Sequence, residues 1–368
     1  RADERTPGAG LGLAIGRGET ADSHMTIDAA GPSLRVIDLR RMGGPPSAQL
    51  VPAPKPFTVE AGRIGQVFGL ALDDQSPPNI YVAATSAYGL AIVASGADGR
   101  ARRVRTGAPG VSFMAAQWGP GAGPGSIWKI GAFGEVSLFA NVSNAGRANA
   151  GAALGGLAYD GASKSLYVAD RESGLIHRLA MNGAALGVYD HGVVGRAAAG
   201  FEPVADRPSG VSITSPDFDT ARPESWGFAS PERRVFGLAV REGRLYYAIA
   251  EDLQVWSVGL VEGSFGADAR IEVAAPPAAG PTEISRIVFD DQGRMYLAER
   301  AAPTGAQDFG ALATSAIARV LRYAPIGATP TRRIWVPAPD DYAIGFPERF
   351  RNVNGGAAIG YGYDAQGD

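Results

Sequence analysis

A hairpin-length pattern returns four times along the chain, and it restricts the fold more than any other feature. FGLALDDQSPPNIYVAAT (Phe68 to Thr85), GGLAYDGASKSLYVAD (Gly155 to Asp170), FGLAVREGRLYYAIAED (Phe236 to Asp252) and SRIVFDDQGRMYLAER (Ser285 to Arg300) share one plan. Each opens on a small or aromatic residue and runs through a short apolar strand. A polar turn with Asp or Gly follows, then a second strand centred on Tyr. Short β-branched and aromatic runs bounded by Gly and Asp are the chemistry of strands. A fifth copy, NGGAAIGYGYDAQGD, begins at Asn354 and runs to Asp368, so the last blade is expected to be truncated inside its turn. SIWKI (Ser126 to Ile130) and EVSLFANV (Glu135 to Val142) read as strands of a sixth, less regular unit.

Small antiparallel sheets that cannot bury both faces alone must cover one another, which is the logic of a β-propeller. The expected fold is all-β: a six-bladed propeller of four-stranded antiparallel blades with low helix content. The 51 Gly and 26 Pro suit a chain of many strands and turns. Residues 1–32 have no periodicity and read as a flexible arm, and the propeller is expected over 33–368, with SLRVIDL (Ser33 to Leu39) as its first strand. Closure would come from that strand pairing with the unit at Asn354, or from residues after Asp368. The distance from Gly156 to Gly237 exceeds one blade, and the excess, about 195–233, reads as a long surface insertion anchored by Trp226.

Composition removes several classes of function. The formal charge is -3 and there is no run of Lys or Arg, so the basic footprint of a nucleic-acid partner is missing. No apolar segment approaches the roughly 18 to 20 residues of a membrane span. Without cysteine there are no disulfides, thiolate zinc sites or cysteine nucleophiles. GLGLAIG (Gly10 to Gly16) lacks dinucleotide spacing, and GPGAGPG lacks the Lys of a phosphate loop. Asp73 with Asp74 and Asp290 with Asp291 sit in turns, where Asp commonly bonds its own backbone. Trp128, Tyr167, Tyr246, Tyr247, Trp256 and Tyr296 recur at second or third strands and are expected between blades. Of the three histidines, His24 lies in the arm, His177 is expected on a sheet surface and His191 in a loop.

The pairing of GGLAYD with LYVADRESGLIHRL resembles the six-bladed propellers of the NHL, SMP-30/gluconolactonase and strictosidine-synthase-like group, over about Ser33 to Asp368. That group holds lactonases, other hydrolases and proteins that only bind partners, so the resemblance implies a fold more than a role. It implies that first strands start, and second strands end, on one face around a central channel. Asp170, Arg171, Glu251, Asp252, Arg286, Glu299 and Arg300 would then form a ligand site at the channel mouth. Asp170, Glu251 and Glu299 could supply oxygens to Ca²⁺, which takes six to eight. The plainer alternative is that these are solvated strand ends, with Arg171, Arg286 and Arg300 neutralising the acids. Enzymes of the group resemble one another in an Asn before an inner strand, whereas Phe68, Gly155, Phe236 and Ile284 stand there in this chain; Asn354 is the single Asn near such a place.

Two roles follow. One is a secreted or surface-exposed binding or scaffold module, periplasmic or extracellular after loss of a leader. It would engage a protein or small polar ligand at the channel face or the 195–233 loop. The other is a calcium-dependent hydrolase of lactonase or gluconolactonase type. Three carboxylates aimed at one spot would favour the hydrolase; arginines and aromatic rings filling the channel would favour binding alone.

Overall fold

The computed structural model describes residues 27–38, 54–207, 212–302, 317–327, 333–338 and 355–359. His24, Asn354, the Gly10 to Gly16 stretch and most of the arm and of the fifth copy lie outside them. The four repeats become the first two strands of four consecutive antiparallel sheets. The first sheet is Val67–Leu72, Ile80–Ala84, Ser126–Ile130 and Val136–Asn141. The second is Leu154–Asp160, Ser165–Asp170, Leu175–Ala180 and Ala185–Asp190. Val235–Arg241, Arg244–Ile249, Gln254–Val261 and Arg270–Ala274 make the third, with Ser264–Phe265 appended. Thr282–Phe289, Met295–Ala301, Val320–Ile326 and Ile334–Pro337 make the fourth.

Apolar layers lie between successive sheets. Ala71, Tyr81 and Ile127 of the first pack on Leu157, Leu166 and Val168 of the second. Tyr167 and Ile176 of the second meet Leu238, Tyr247 and Trp256 of the third. Tyr246 and Val255 of the third meet Ile287, Leu297 and Trp335 of the fourth. Each strand's alternation thus offers one face to the preceding sheet and one to the next. Sheets arranged side by side in this way are a β-propeller.

The first strand of every sheet is innermost and carries the same irregularity. Its register shifts between Val67 and Leu70, Leu154 and Leu157, Val235 and Leu238, and Ile284 and Arg286. In three sheets a glycine stands at this bulge. A Cβ on Gly156 would stand 2.8 Å from the Phe236 carbonyl oxygen and 2.9 Å from the Leu238 amide, and one on Gly237 would stand 3.1 Å from the Arg286 amide. The bulge glycines therefore let one inner backbone lie directly on the next. Arg286 occupies the corresponding place in the fourth sheet. Its side chain donates from Nη1 to the Leu70 carbonyl at 2.8 Å, which ties the fourth inner strand back to the first.

Three expectations are corrected. SIWKI and EVSLFANV are not a separate unit: Ile80 to Ala83 pair with Ile130 to Ile127, so these are strands three and four of the first sheet. The irregular stretch between is an insertion with its own sheet, Ile92–Ser95, Ala101–Val104 and Ser112–Phe113. The described residues accordingly hold four blades, where the repeat count had suggested six units. Pro32–Val36 pairs with Phe57–Glu60, a strand not anticipated, and most of the unit at Asn354 expected to close the ring lies outside the described residues. The 195–233 insertion folds against the first one: Gly107 N donates to Phe218 O at 2.8 Å, and buried Trp226 and Phe218 pack with Leu90 and Ile92. Trp226 thus points inward.

If inner-strand contact depends on a missing side chain, Gly156→Ala will destabilise the protein by about 1–3 kcal/mol, the usual result of overpacking. Gly187→Ala, on an outer strand with nothing within 4 Å of its Cβ position, is the matched control. Urea denaturation of the two variants should separate them clearly.

Candidate binding site at the channel face

Two positions recur at one end of the sheets, one residue outside the cross-strand pair that precedes each bulge (Leu154 with Asp170, Val235 with Ile249, Ile284 with Glu299): one on the side of the first strand and one on the side of the second. In the fourth sheet they hold Glu283 and Arg300, which are cross-strand partners. Arg234 precedes the third sheet's first strand and Arg171 follows the second sheet's second strand. The bulges bring these four side chains together from three sheets, as the following contacts record.

Glu283 is buried, accepts hydrogen bonds from Arg171 and Arg300, and forms an ion pair with Arg234. Arg171 Nη2 reaches its two oxygens at 2.8 and 2.7 Å, Arg300 Nη2 reaches Oε2 at 2.5 Å, and Arg234 Nε lies 3.2 Å from Oε1. Burial alone would raise the Glu283 pKa, but Arg171, Arg300 and Arg234 overcome it and hold the value at about 2. Burial pushes Arg171 down to about 9, with Glu283 working in the opposite direction. Aromatic rings complete the floor. Arg171 lies 4.2 Å from the centroid of Phe236 and 4.6 Å from that of Phe228, and Arg300 lies 5.1 Å from Phe236. Phe68 meets both Phe236 and Tyr88 edge to face. Arg300 Nη1 also donates to the carbonyls of Ala87 at 3.0 Å and Ala301 at 2.8 Å, so the cluster reaches the first sheet.

Of the seven residues expected at the channel mouth, Arg171 and Arg300 converge. The others are held elsewhere. Asp170 accepts from Asn149 Nδ2 at 2.9 Å, the Glu172 amide at 3.0 Å and Ser173 Oγ at 2.5 Å, with His177 Nε2 at 3.5 Å. Burial would raise its pKa, but the bonds from His177, Ser173 and Glu172 outweigh that and keep it lowered. Glu299 is clasped by Arg319, from Nη2 to Oε1 at 2.6 Å and from Nε to Oε2 at 2.9 Å. Glu251 pairs with Arg196 of the insertion at 2.6 Å. Asp252 is exposed in a left-handed turn at φ 49°. Arg286 turns to Leu70 as described. Among the described residues no group of three His, Asp or Glu could hold a metal ion, so Asp170, Glu251 and Glu299 do not form the oxygen cage that was expected. Their charges and lone pairs are already engaged by separate partners.

The two described histidines also differ from expectation. His177 is buried beside Asp170 and not on a sheet surface. His191 is buried against Tyr247 and Trp256, and burial lowers its pKa to about 3, which keeps it neutral. Of the turn acids, Asp73 accepts from the Gln75 and Asn79 amides and Asp290 from the Arg294 amide, as expected, whereas Asp74 reaches across to Tyr159 and Lys164 of the second sheet.

No protein-family model and no curated protein matches the chain. Among solved structures, 86% of this chain aligns with 91% of a chain from a nidogen/laminin complex at 11% identity and TM-score 0.38. A protein from Lactobacillus plantarum aligns over 80% of this chain and 75% of its own at 10% identity and TM-score 0.37. The PQQ-bound aldose sugar dehydrogenase from Streptomyces coelicolor aligns over 78% of this chain and 85% of its own, at 13% identity and TM-score 0.32. No residue role is transferred at such identities.

Glu172, next to the cluster, supplies a pH test. Burial raises its pKa from 4.5 to about 7, against hydrogen bonds from the Ala150 and Gly151 amides that lower it. The folded state then binds more protons than the unfolded one between those values, so stability falls as pH rises from 4.5 to 7. Glu172→Gln removes that slope. Its stability relative to the parent should improve across this window by about 1–3 kcal/mol, as judged from one pKa unit being 1.36 kcal/mol; urea midpoints at several pH values measure it.

Proposed function

We propose that this chain is a secreted or surface-exposed binding module, a propeller of the NHL and SMP-30 kind that engages a protein or small polar ligand and does no chemistry on it. The channel face is its contact surface, with the 195–233 insertion alongside. The supporting observation is the cluster around Glu283. Where these side chains from three sheets meet, the structure has arginines and aromatic rings, and the ionisable groups there are matched to charge recognition. A general base poised near neutrality is not part of it: Glu283 is held ionised by three guanidinium groups.

The hydrolase reading asks for a specific rearrangement. To bind calcium together, Asp170 would have to release Asn149 and Ser173, Glu251 would release Arg196, and Glu299 would release Arg319. Each step gives up formed hydrogen bonds, and the last two leave the partly exposed Arg196 and Arg319 without their carboxylate partners. Isothermal calorimetry with Ca²⁺ is therefore expected to give no saturable heat in the parent protein. A saturable heat that disappears in Asp170→Asn would replace the binding-module reading with the metal-dependent one.

A further inference from the structure

The cluster at Glu283 is not internally balanced. Three guanidinium groups share one carboxylate, and two of the three, Arg171 and Arg300, are fully buried. Buried charges are normally paired, because the desolvation penalty of an unmatched ion is large. The donor count gives the same result. Arg171 Nε and Nη1 and Arg300 Nε are buried and have no hydrogen-bond partner among the described residues. A buried donor left unmade costs about 1–3 kcal/mol, and such groups are few in folded proteins. The phenylalanines do not satisfy them, since a ring attracts a guanidinium through its π face and accepts no ordinary hydrogen bond from its N–H edge.

We infer that Arg171 and Arg300, with Arg234 at the rim, form a recognition site for a carboxylate carried on a small apolar body. The inference rests on the binding-module reading and names the ligand class of the same face. A carboxylate presents two oxygens in a plane, which matches the planar fork of a guanidinium. It would supply the missing countercharge and accept the three unmade N–H bonds. The surroundings select the rest of the ligand. Phe228, Phe236, Phe68 and Tyr88 favour a ring or an aliphatic body, and they disfavour a bare, strongly hydrated inorganic anion that must be stripped of water. Access is from the side of Arg234, whose side chain is 22% exposed, and of the half-buried Phe228. The same chemistry is presented by a free aromatic or aliphatic acid and by the terminal carboxylate of a peptide ending in an apolar residue.

The test is thermal denaturation and calorimetry of the full chain with four probes: benzoate, benzamide, inorganic phosphate, and a peptide ending in phenylalanine, taken with a free and with an amidated terminus. Benzoate or the free-acid peptide is expected to raise the unfolding temperature saturably, because a ligand of the folded state stabilises it by mass action. Benzamide and the amidated peptide should not. Binding of benzoate identifies a free acid as sufficient, and binding of the free-acid peptide alone identifies a chain terminus as the source. Since replacing a buried arginine can cost the fold, the decisive variant is the partly exposed Arg234→Gln, expected to weaken binding about tenfold, the loss of one charge-assisted contact. Equal effects of benzoate and benzamide, no response to either carboxylate probe, or a response to phosphate alone would overturn the inference. None of those results bears on the binding-module reading, which fails instead on a calcium heat lost in Asp170→Asn.

Discussion

Everything at the channel face depends on how closely the inner strands approach one another. Side chains normally keep parallel backbones well apart, but at the bulge the absent Cβ of Gly156 and Gly237 lets each inner strand rest on its neighbour's peptide groups. The bulge has a second effect. Just outside the bulge, a residue on the side of the first strand stands level with one on the side of the second, as the pairing of Glu283 with Arg300 shows. Close approach then carries Arg171, Arg234 and Arg300 from three different sheets to one carboxylate, although Arg171 and Glu283 are 112 residues apart in sequence. Loop-end positions on a rigid scaffold become a single site without any loop of unusual length.

The electrostatics of that site follow from burial and count. A single glutamate among three arginines is held ionised far below its ordinary range, and Arg171 is pushed down by its burial, with the neighbouring Arg300 and Arg234 adding to the effect. Aromatic rings take up the guanidinium faces and leave the buried N–H edges to make the polar contacts. This is a different chemistry from the oxygen-rich cage of a calcium site. The carboxylates that would have built such a cage are each engaged where they stand, Asp170 by hydrogen bonds and Glu251 and Glu299 by separate arginines.

Much of the fold could be read before any coordinates because alternating apolar hairpins are a local signal. The four Tyr-centred repeats are the first two strands of four sheets, and Phe68 and Phe236 do meet at the channel mouth. What misled the reading was non-local. The third and fourth strands of the first sheet, at Ser126–Ile130 and Val136–Asn141, follow an insertion that carries its own sheet, and so looked like another unit. Strand-end position pointed to Arg171 and Arg300, which meet at Glu283, but position cannot say which opposite charge a carboxylate will meet. Asp170 is satisfied by Ser173 in its own turn, Glu299 by Arg319 across an excursion of the chain, and Glu251 by Arg196 from the insertion. Glu283 was passed over although it lies on the first strand of its sheet. The available signal was its place one residue before Ile284, the same place Arg234 holds before Val235 in the preceding repeat.

The central claim is that Glu283 joins separate sheets electrostatically at a buried point. A double-mutant cycle between Glu283→Gln and Arg171→Gln, read by urea denaturation at neutral pH, measures that directly. The structure predicts a coupling energy of about 1.5 kcal/mol or more, as for other desolvated, hydrogen-bonded charge pairs, with the double variant harmed less than the sum of the two single variants. Coupling below about 0.5 kcal/mol, the additivity expected of independent sites, would mean that the two residues do not meet and would contradict the account.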